Sequence, residues 1–186
     1  MSAAPASRRT PSARPLTART RALGALAGAA LLAMLGAGAT AAAQQPRAPL
    51  ELASFPRTTL EITHHDPHAV RKYPFEVWVA DTPERAEQGL MFVSDLPASR
   101  GMIFPLAPPR VETMWMKNTY IELDMLFIRA DGHVLKIIER AHPLSEELLS
   151  SGEPVSAVLE LRGGEAQRLG LKIGDTVTWK KPAPRS

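Results

Sequence analysis

Apolar residues along this chain recur mostly at every second position, in short runs separated by Gly, Pro, Asn and Asp. In YPFEVWVA (73–80), Phe75, Val77 and Val79 share one side of an extended chain, against Glu76 and Trp78 on the other. That two-residue period is the mark of a half-buried strand. The same pattern predicts strands over RTTLEI (57–62), RGMIFPL (100–106), both halves of ETMWMKNTYIELDMLFI (112–128), HVLKIIER (133–140), SAVLEL (156–161) and the end of KIGDTVTW (172–179). The stretch THHDPHAVRK (63–72) and the APPR segment (107–110) read as polar and proline loops. Asp131-Gly132 is the strongest hairpin signal, joining two apolar runs as an antiparallel pair. A second turn is expected at Lys117 and Asn118, and a third at Gly174 and Asp175.

Two segments break this period. In DTPERAEQGLM (81–91), Asp81 or Thr82 can cap a helix whose first turn holds Pro83, and Gly89 ends it. GGEAQRLGL (163–171) predicts a second short helix. With about seven strands to two helices and short connections, the expectation is an α+β, β-rich fold. It would be a compact small barrel or sandwich of mostly antiparallel strands.

The first 43 residues follow a different rule. Five arginines and no acid precede Ala22–Leu35, a run made almost wholly of Ala, Leu and Gly, and GATAAAQQ (38–45) follows. A basic start, a short apolar core and a small-residue site form the layout of a secretory signal, cleaved after Ala43. An uncleaved N-terminal anchor is the alternative. Residues 44–56, with Pro46, Pro49 and Pro56, read as a linker, and residues 57–181 as one domain. The expected location is therefore the periplasm or the extracellular space, with no membrane span once the signal is removed.

That division alters the charge argument. Without the five arginines of the leader, 17 Lys and Arg remain against 19 Asp and Glu, a balance of −2. The basic character of the whole chain belongs to the leader, so nucleic acid is not an expected partner. Cysteine is absent, which excludes disulfides, thiolate metal sites and thiol nucleophiles.

Candidate chemistry centres on the polar residues inside the apolar stretch 112–128. On a strand, Asp124 shares a side with Glu122 and Leu126, opposite Leu123, Met125 and Phe127. Two readings stand: the carboxylate hydrogen-bonds a nearby backbone amide or sits on a wet face, or it lines a pocket within reach of Lys117 or Asn118. Asn118 suits a positive-φ turn as well as a binding role. Trp115 is either a core plug or a stacking surface beside Lys117. Elsewhere, His64, His65 and His68 with Asp66 form a histidine cluster, a weak metal site that lacks a fourth ligand. Met91, Met102, Met114, Met116 and Met125 occur singly within apolar runs and read as packing in preference to a copper site. No cofactor is expected. No local motif of a serine hydrolase, zinc protease or nucleotide enzyme is present.

The blocks ADTPERAEQGLMF, GMIFPL, MWMKNTYIELDMLFI, DGHVLKI and VLEL, followed by GG and LGLKIGD, occur in that order. Together they resemble the domain of unknown function 192 family, also called uncharacterised protein family 0127, over about Phe75 to Trp179. The resemblance implies a small β-rich domain, often behind a signal peptide, with no established activity. Its characteristic positions fall on Gly89, Leu90, Met91, Gly101, Met102, Trp115, Met116, Lys117, Asn118, Thr119, Leu123, Asp124, Gly174 and Asp175. Glu122 stands where the family usually has Pro, and Val93 where it often has Arg.

The function expected from these residues is an exported binding or accessory domain of the cell envelope. Its site would be Trp115, Lys117, Asn118, Thr119 and Asp124, and its partner a small molecule or an envelope protein. One alternative is a hydrolase-like envelope enzyme using Asp124 and Lys117. The other is a weak metal binder through the His64–His68 loop.

Overall fold

The computed structural model describes residues 48–180. The expected leader, the first part of the expected linker and the last residue of the expected domain lie outside the described residues. In chain order the elements are β1 (Arg57–Asp66), β2 (Ala69–Val79), α1 (Pro83–Gln88), β3 (Arg100–Met114), β4 (Leu123–Ile128), β5 (Val134–Ala141), β6 (Leu149–Arg162), α2 (Glu165–Leu169) and β7 (Thr176–Trp179). This is the β-rich fold with two short α-helices that the alternating pattern predicts.

All seven strands belong to one sheet, in the order β5-β4-β6-β3-β2-β1-β7. Every neighbouring pair is antiparallel except β2 and β3, which run parallel because α1 carries the chain back across. The sheet rolls until its two edges approach each other. His133 forms a single bridge to Thr176, and Val134 N–H and Val177 N–H donate to the carbonyls of Asp175 and Gly132, each at 2.8 Å. The roll is barrel-like without a closed ladder.

Three local expectations change. The polar segment 63–72 is not a loop: β1 and β2 continue through it as a ribbon, pairing His64 with Arg71 and Asp66 with Ala69 around a turn at Pro67 and His68. Most of this ribbon is exposed, so both of its sides are polar and the alternation signal vanishes. RGMIFPL, APPR and the start of the next run form one long strand, β3, whose register against β6 shifts between Pro105 and Arg110 and again between Val111 and Thr113. A proline without an N–H is tolerated where the ladder is already interrupted. Finally, the turn at Lys117 and Asn118 does not close a hairpin, because β6 lies between β3 and β4.

The sheet buries both of its sides, which explains why β4 is buried at all six positions. The inner side of the roll gathers Ile62, Val77, Ile103, Leu126 and Leu159, roofed by Ala166 and Leu169 of α2. The outer side carries Met102, Phe104, Met125 and Phe127, covered by Phe55, Leu90, Leu96 and Met116. Four of the methionines thus sit on or against one apolar face, Met114 only partly buried, consistent with packing by flexible thioethers. Ahead of β1, Leu50 and Gln88 exchange hydrogen bonds between backbone and side chain, and Phe55 is buried, so the end of the expected linker lies against α1 and the outer core.

Candidate functional site

A groove of about 780 Å³ lies between α1, the bent strand β3 and the segment that follows it. Thr82 caps α1, its side chain accepting from Arg85 N–H at 3.3 Å, and Pro83 occupies the first turn. Gly89 then ends the helix at φ 52°, ψ −134°. A side chain there would meet the Phe104 ring at 3.2 Å and lie 3.9 Å from Glu160 Oε2. Glycine is required at this point by both its φ and the closeness of the groove floor.

Glu160 forms that floor. It sits on β6, with Met102 of β3 and Met125 of β4 as its cross-strand neighbours. It is 4% exposed and lines the groove, yet Oε2 has no hydrogen-bond partner among the described residues. Burial pushes its carboxyl up from 4.5 to about 8, because the charged form has lost water and gained no donor. At neutral pH the group is therefore mostly protonated. Gly101 adds to this confinement, since a Cβ there would run into the backbone carbonyl of Glu160.

The remaining polar lining is chiefly acidic. Glu112 Oε2 lies 2.8 Å from Arg110 Nε, a charge contact without hydrogen-bond alignment. Asp81 is paired with Arg85, and Glu87 is exposed on α1. Apolar walls come from Leu90, Phe104, Leu106 and Met114.

The five residues singled out from sequence are divided by the fold. Trp115 and Thr119 line the groove. Trp115 is 41% exposed, and Lys117 Nζ rests 5.1 Å from the centroid of its ring. Asn118 adopts φ 54°, and its carbonyl accepts from Phe92 N–H at 2.9 Å, while its side-chain amide lies 3.9 Å from Met91 Sδ. Thr119 O accepts from Leu144 N–H, and Met116 N–H donates to Ser145 O. The segment thus ties two loops, around Phe92 and Leu144, together through its backbone.

Asp124 is elsewhere. Fully buried on the α2 side, it accepts from Arg140 N–H at 2.8 Å and Gly164 N–H at 2.9 Å through Oδ1, and from Ala166 N–H at 2.7 Å through Oδ2. It fixes the start of α2 and the positive-φ residue Arg140 on β5. Of its two readings, the backbone-amide one is realised, and the structure does not bring it together with Lys117.

The histidines are also separated. His64 turns inward, with Nδ1 3.0 Å from both carboxylate oxygens of Asp175, which also accepts from the backbone of His65 and Lys172. His65 faces outward to Thr176 Oγ1, and His68 sits in the exposed turn. Among the described residues no three His, Cys, Asp or Glu side chains gather in an arrangement that could hold a metal ion.

Sequence reasoning passed over Glu160. Its signal was a single acid in SAVLEL, flanked by Val158, Leu159 and Leu161. That pattern is equally that of a strand with one wet side, and only the segments that cover the outer side of the sheet make it a buried acid.

A rolled β-rich domain with an acid-floored groove under a short capped helix is the class these observations define. The chain belongs to the domain of unknown function 192 family, described as "Uncharacterized ACR", whose model matches residues 65–179. Two solved structures are similar to it. One, described as a candidate transcription regulator from Sinorhizobium meliloti 1021, is 39% identical with a TM-score of 0.64, covering 68% of this chain and 95% of that one. The other, a protein of unknown function from Novosphingobium aromaticivorans DSM 12444, is 36% identical with a TM-score of 0.64, covering 71% of this chain and 91% of that one. No curated protein matches the chain.

Proposed function

We propose that this protein is an exported binding domain of the cell envelope, and that its ligand site is the groove above Glu160. The observation that carries the site is a buried carboxyl oxygen left without a partner beneath a groove of mixed apolar and acidic lining. Leaving such a group unsatisfied is unfavourable by about 1 to 3 kcal/mol, a penalty a ligand can relieve. Trp115 and Thr119 at the wall, with Lys117 on the Trp115 ring, complete the site at its rim. Export is supported by the arginine-rich start, the Ala-Leu run and the small-residue site before Gln44. No helix among the described residues is long and apolar enough to cross a membrane.

Regulation of transcription, suggested for the Sinorhizobium relative, has no support in charge, since the chain beyond the leader is slightly acidic. An enzymatic reading has one observation in its favour. A carboxyl kept protonated to about pH 8 suits a general acid, and Glu112 offers a second carboxylate in the same groove. A hydrolase of this chain would therefore work through Glu160 and Glu112, and turnover would disappear in Glu160→Gln.

The test of the binding reading is an amide-resolved NMR titration of the full chain with small neutral, cationic and anionic fragments. Perturbations are expected at Gly89, Leu106, Thr119 and Glu160, and should vanish in Ala86→Trp, which fills the groove from the exposed side of α1. If no fragment perturbs the groove, the site is misassigned.

A further inference from the structure

We propose that the groove takes an amphipathic primary amine, with its ammonium group against Glu160 and its carbon chain along Leu90, Phe104, Leu106 and Met114. This rests on the groove being the ligand site and adds the chemical class of the ligand.

The first argument is charge. Asp81 ahead of α1, Glu87 on α1, Glu112 on β3 and Glu160 on β6 line the groove with one base, Arg110, while Arg85 of α1 pairs with Asp81. Asp81 is offset by Arg85 and Glu112 by Arg110, so the lining acids that carry no ion pair among the described residues are Glu87 and Glu160, and once Glu160 ionises the groove favours a cation over an anion. The second argument is the unpartnered oxygen. Glu160 Oε2 is buried and lacks a hydrogen-bond partner. A primary ammonium brings three N–H donors to it, whereas a quaternary ammonium brings none. The third is the wall. Leu90, Phe104, Leu106 and Met114 supply apolar lining, which suits a hydrocarbon chain and gives little to a polyol. At the rim, the Trp115 ring already carries the Lys117 ammonium at 5.1 Å, so this aromatic face accommodates a cation.

A neutral carbonyl ligand would accept a hydrogen bond from the protonated Glu160 carboxyl, but it would bring no positive charge to the groove's acids. With an amine the accounting differs. The ligand enters as R–NH₃⁺, the Glu160 carboxyl ionises, and one proton passes to solvent. The charged groups around this exchange are Asp81 ahead of α1, Arg85 and Glu87 on α1, and Arg110 and Glu112 on β3. The cross-strand neighbours on β3 and β4 are Met102 and Met125, which do not titrate.

The test is isothermal titration of the full chain with hexylamine, hexanamide, hexanoate and hexyltrimethylammonium, in pairs of buffers that differ in protonation enthalpy. Hexylamine stays protonated throughout, as a lysine does. It is expected to bind most tightly, with affinity rising roughly tenfold per pH unit up to about pH 8 and then levelling. The buffer dependence should report about one proton released. Glu160→Gln should remove the pH dependence and weaken hexylamine binding at least roughly tenfold. Should that variant not fold, the wild type's pH dependence and its release of about one proton carry the assignment to Glu160, and loss of hexylamine binding in Ala86→Trp places that binding in the groove. The amine inference is overturned if hexanamide or hexyltrimethylammonium binds as well as hexylamine, or if hexylamine affinity does not change between about pH 6 and 8. Binding of any of these to the groove, seen by NMR and lost in Ala86→Trp, would leave the groove reading standing. If none of the four perturbs the groove, both readings fall.

Discussion

Asp124 and Glu160 are buried acids on adjacent strands, facing opposite sides of the sheet, and their surroundings differ in one respect. Asp124 accepts three backbone N–H groups, while Glu160 has an oxygen that meets none. Asp124→Ala strands one buried and two part-buried donors at once and is expected to destabilise the fold by about 2 to 5 kcal/mol, measured by denaturant unfolding. Glu160→Gln should do the reverse. Because its folded-state pKa is raised from 4.5 to about 8, the native state holds the proton more tightly than the unfolded chain. Its contribution is complete below about 4.5 and is lost as pH rises through about 8, at about 1.4 kcal/mol per pH unit in between. The wild type should therefore lose this stability from mildly acid to mildly alkaline pH, and Glu160→Gln should flatten that slope and melt higher above about pH 8. A variant as pH-dependent as the wild type would remove the basis for a protonated Glu160.

Among the elements, α1 is the one that makes the groove. It has six residues and no buried side chain of its own, so it depends on its cap, its terminal glycine and the contacts of the segment after it. Thr82→Ala should lower stability by about 1 kcal/mol. Gly89→Ala should lower it further, since the new methyl both strains a positive φ and presses on Phe104. In amide exchange both variants should loosen α1 and Leu90 without loosening β4 and β6, as expected of a unit at the weakly held end of the molecule. Uniform loosening would show that α1 belongs to the global unfolding unit. The 115–122 segment acts differently. Asn118, Thr119 and Met116 hold the 92 and 144 loops through backbone groups, so their residue types report turn geometry as much as binding.

For the whole molecule, the charge division and the export reading are linked. If the leader is removed after Ala43, the chain recovered from the envelope fraction should begin at Gln44 and carry slightly acidic net charge. Intact mass spectrometry of the fractionated host protein decides this. A full-length chain in the membrane fraction would favour the uncleaved anchor, and one in the cytoplasm would end the export reading.

Much of the fold was legible in the chain because strand periodicity, the Asp131-Gly132 turn and the Thr82-Pro83-to-Gly89 helix signals are local. Each depends on φ/ψ preferences and neighbouring side chains that act within a few residues. The ribbon at 63–72 was not legible, because most of it meets solvent and its one buried position is the polar His64, which leaves no apolar period. The candidate site was legible only in part. Trp115 and Thr119 reached the groove, whereas Asp124, equally prominent in sequence, became an anchor for α2. Glu160 looked like an ordinary outward residue of a strand. Its burial was decided by α1 returning over the sheet, by Gly89 allowing close approach, and by β6 taking the position between β3 and β4. The sequence alone determined which segments are strands, where they turn and which residues can carry charge. Only the tertiary structure decided which of the two buried acids would find its hydrogen bonds and which would not, because that depends on donors brought from distant parts of the chain.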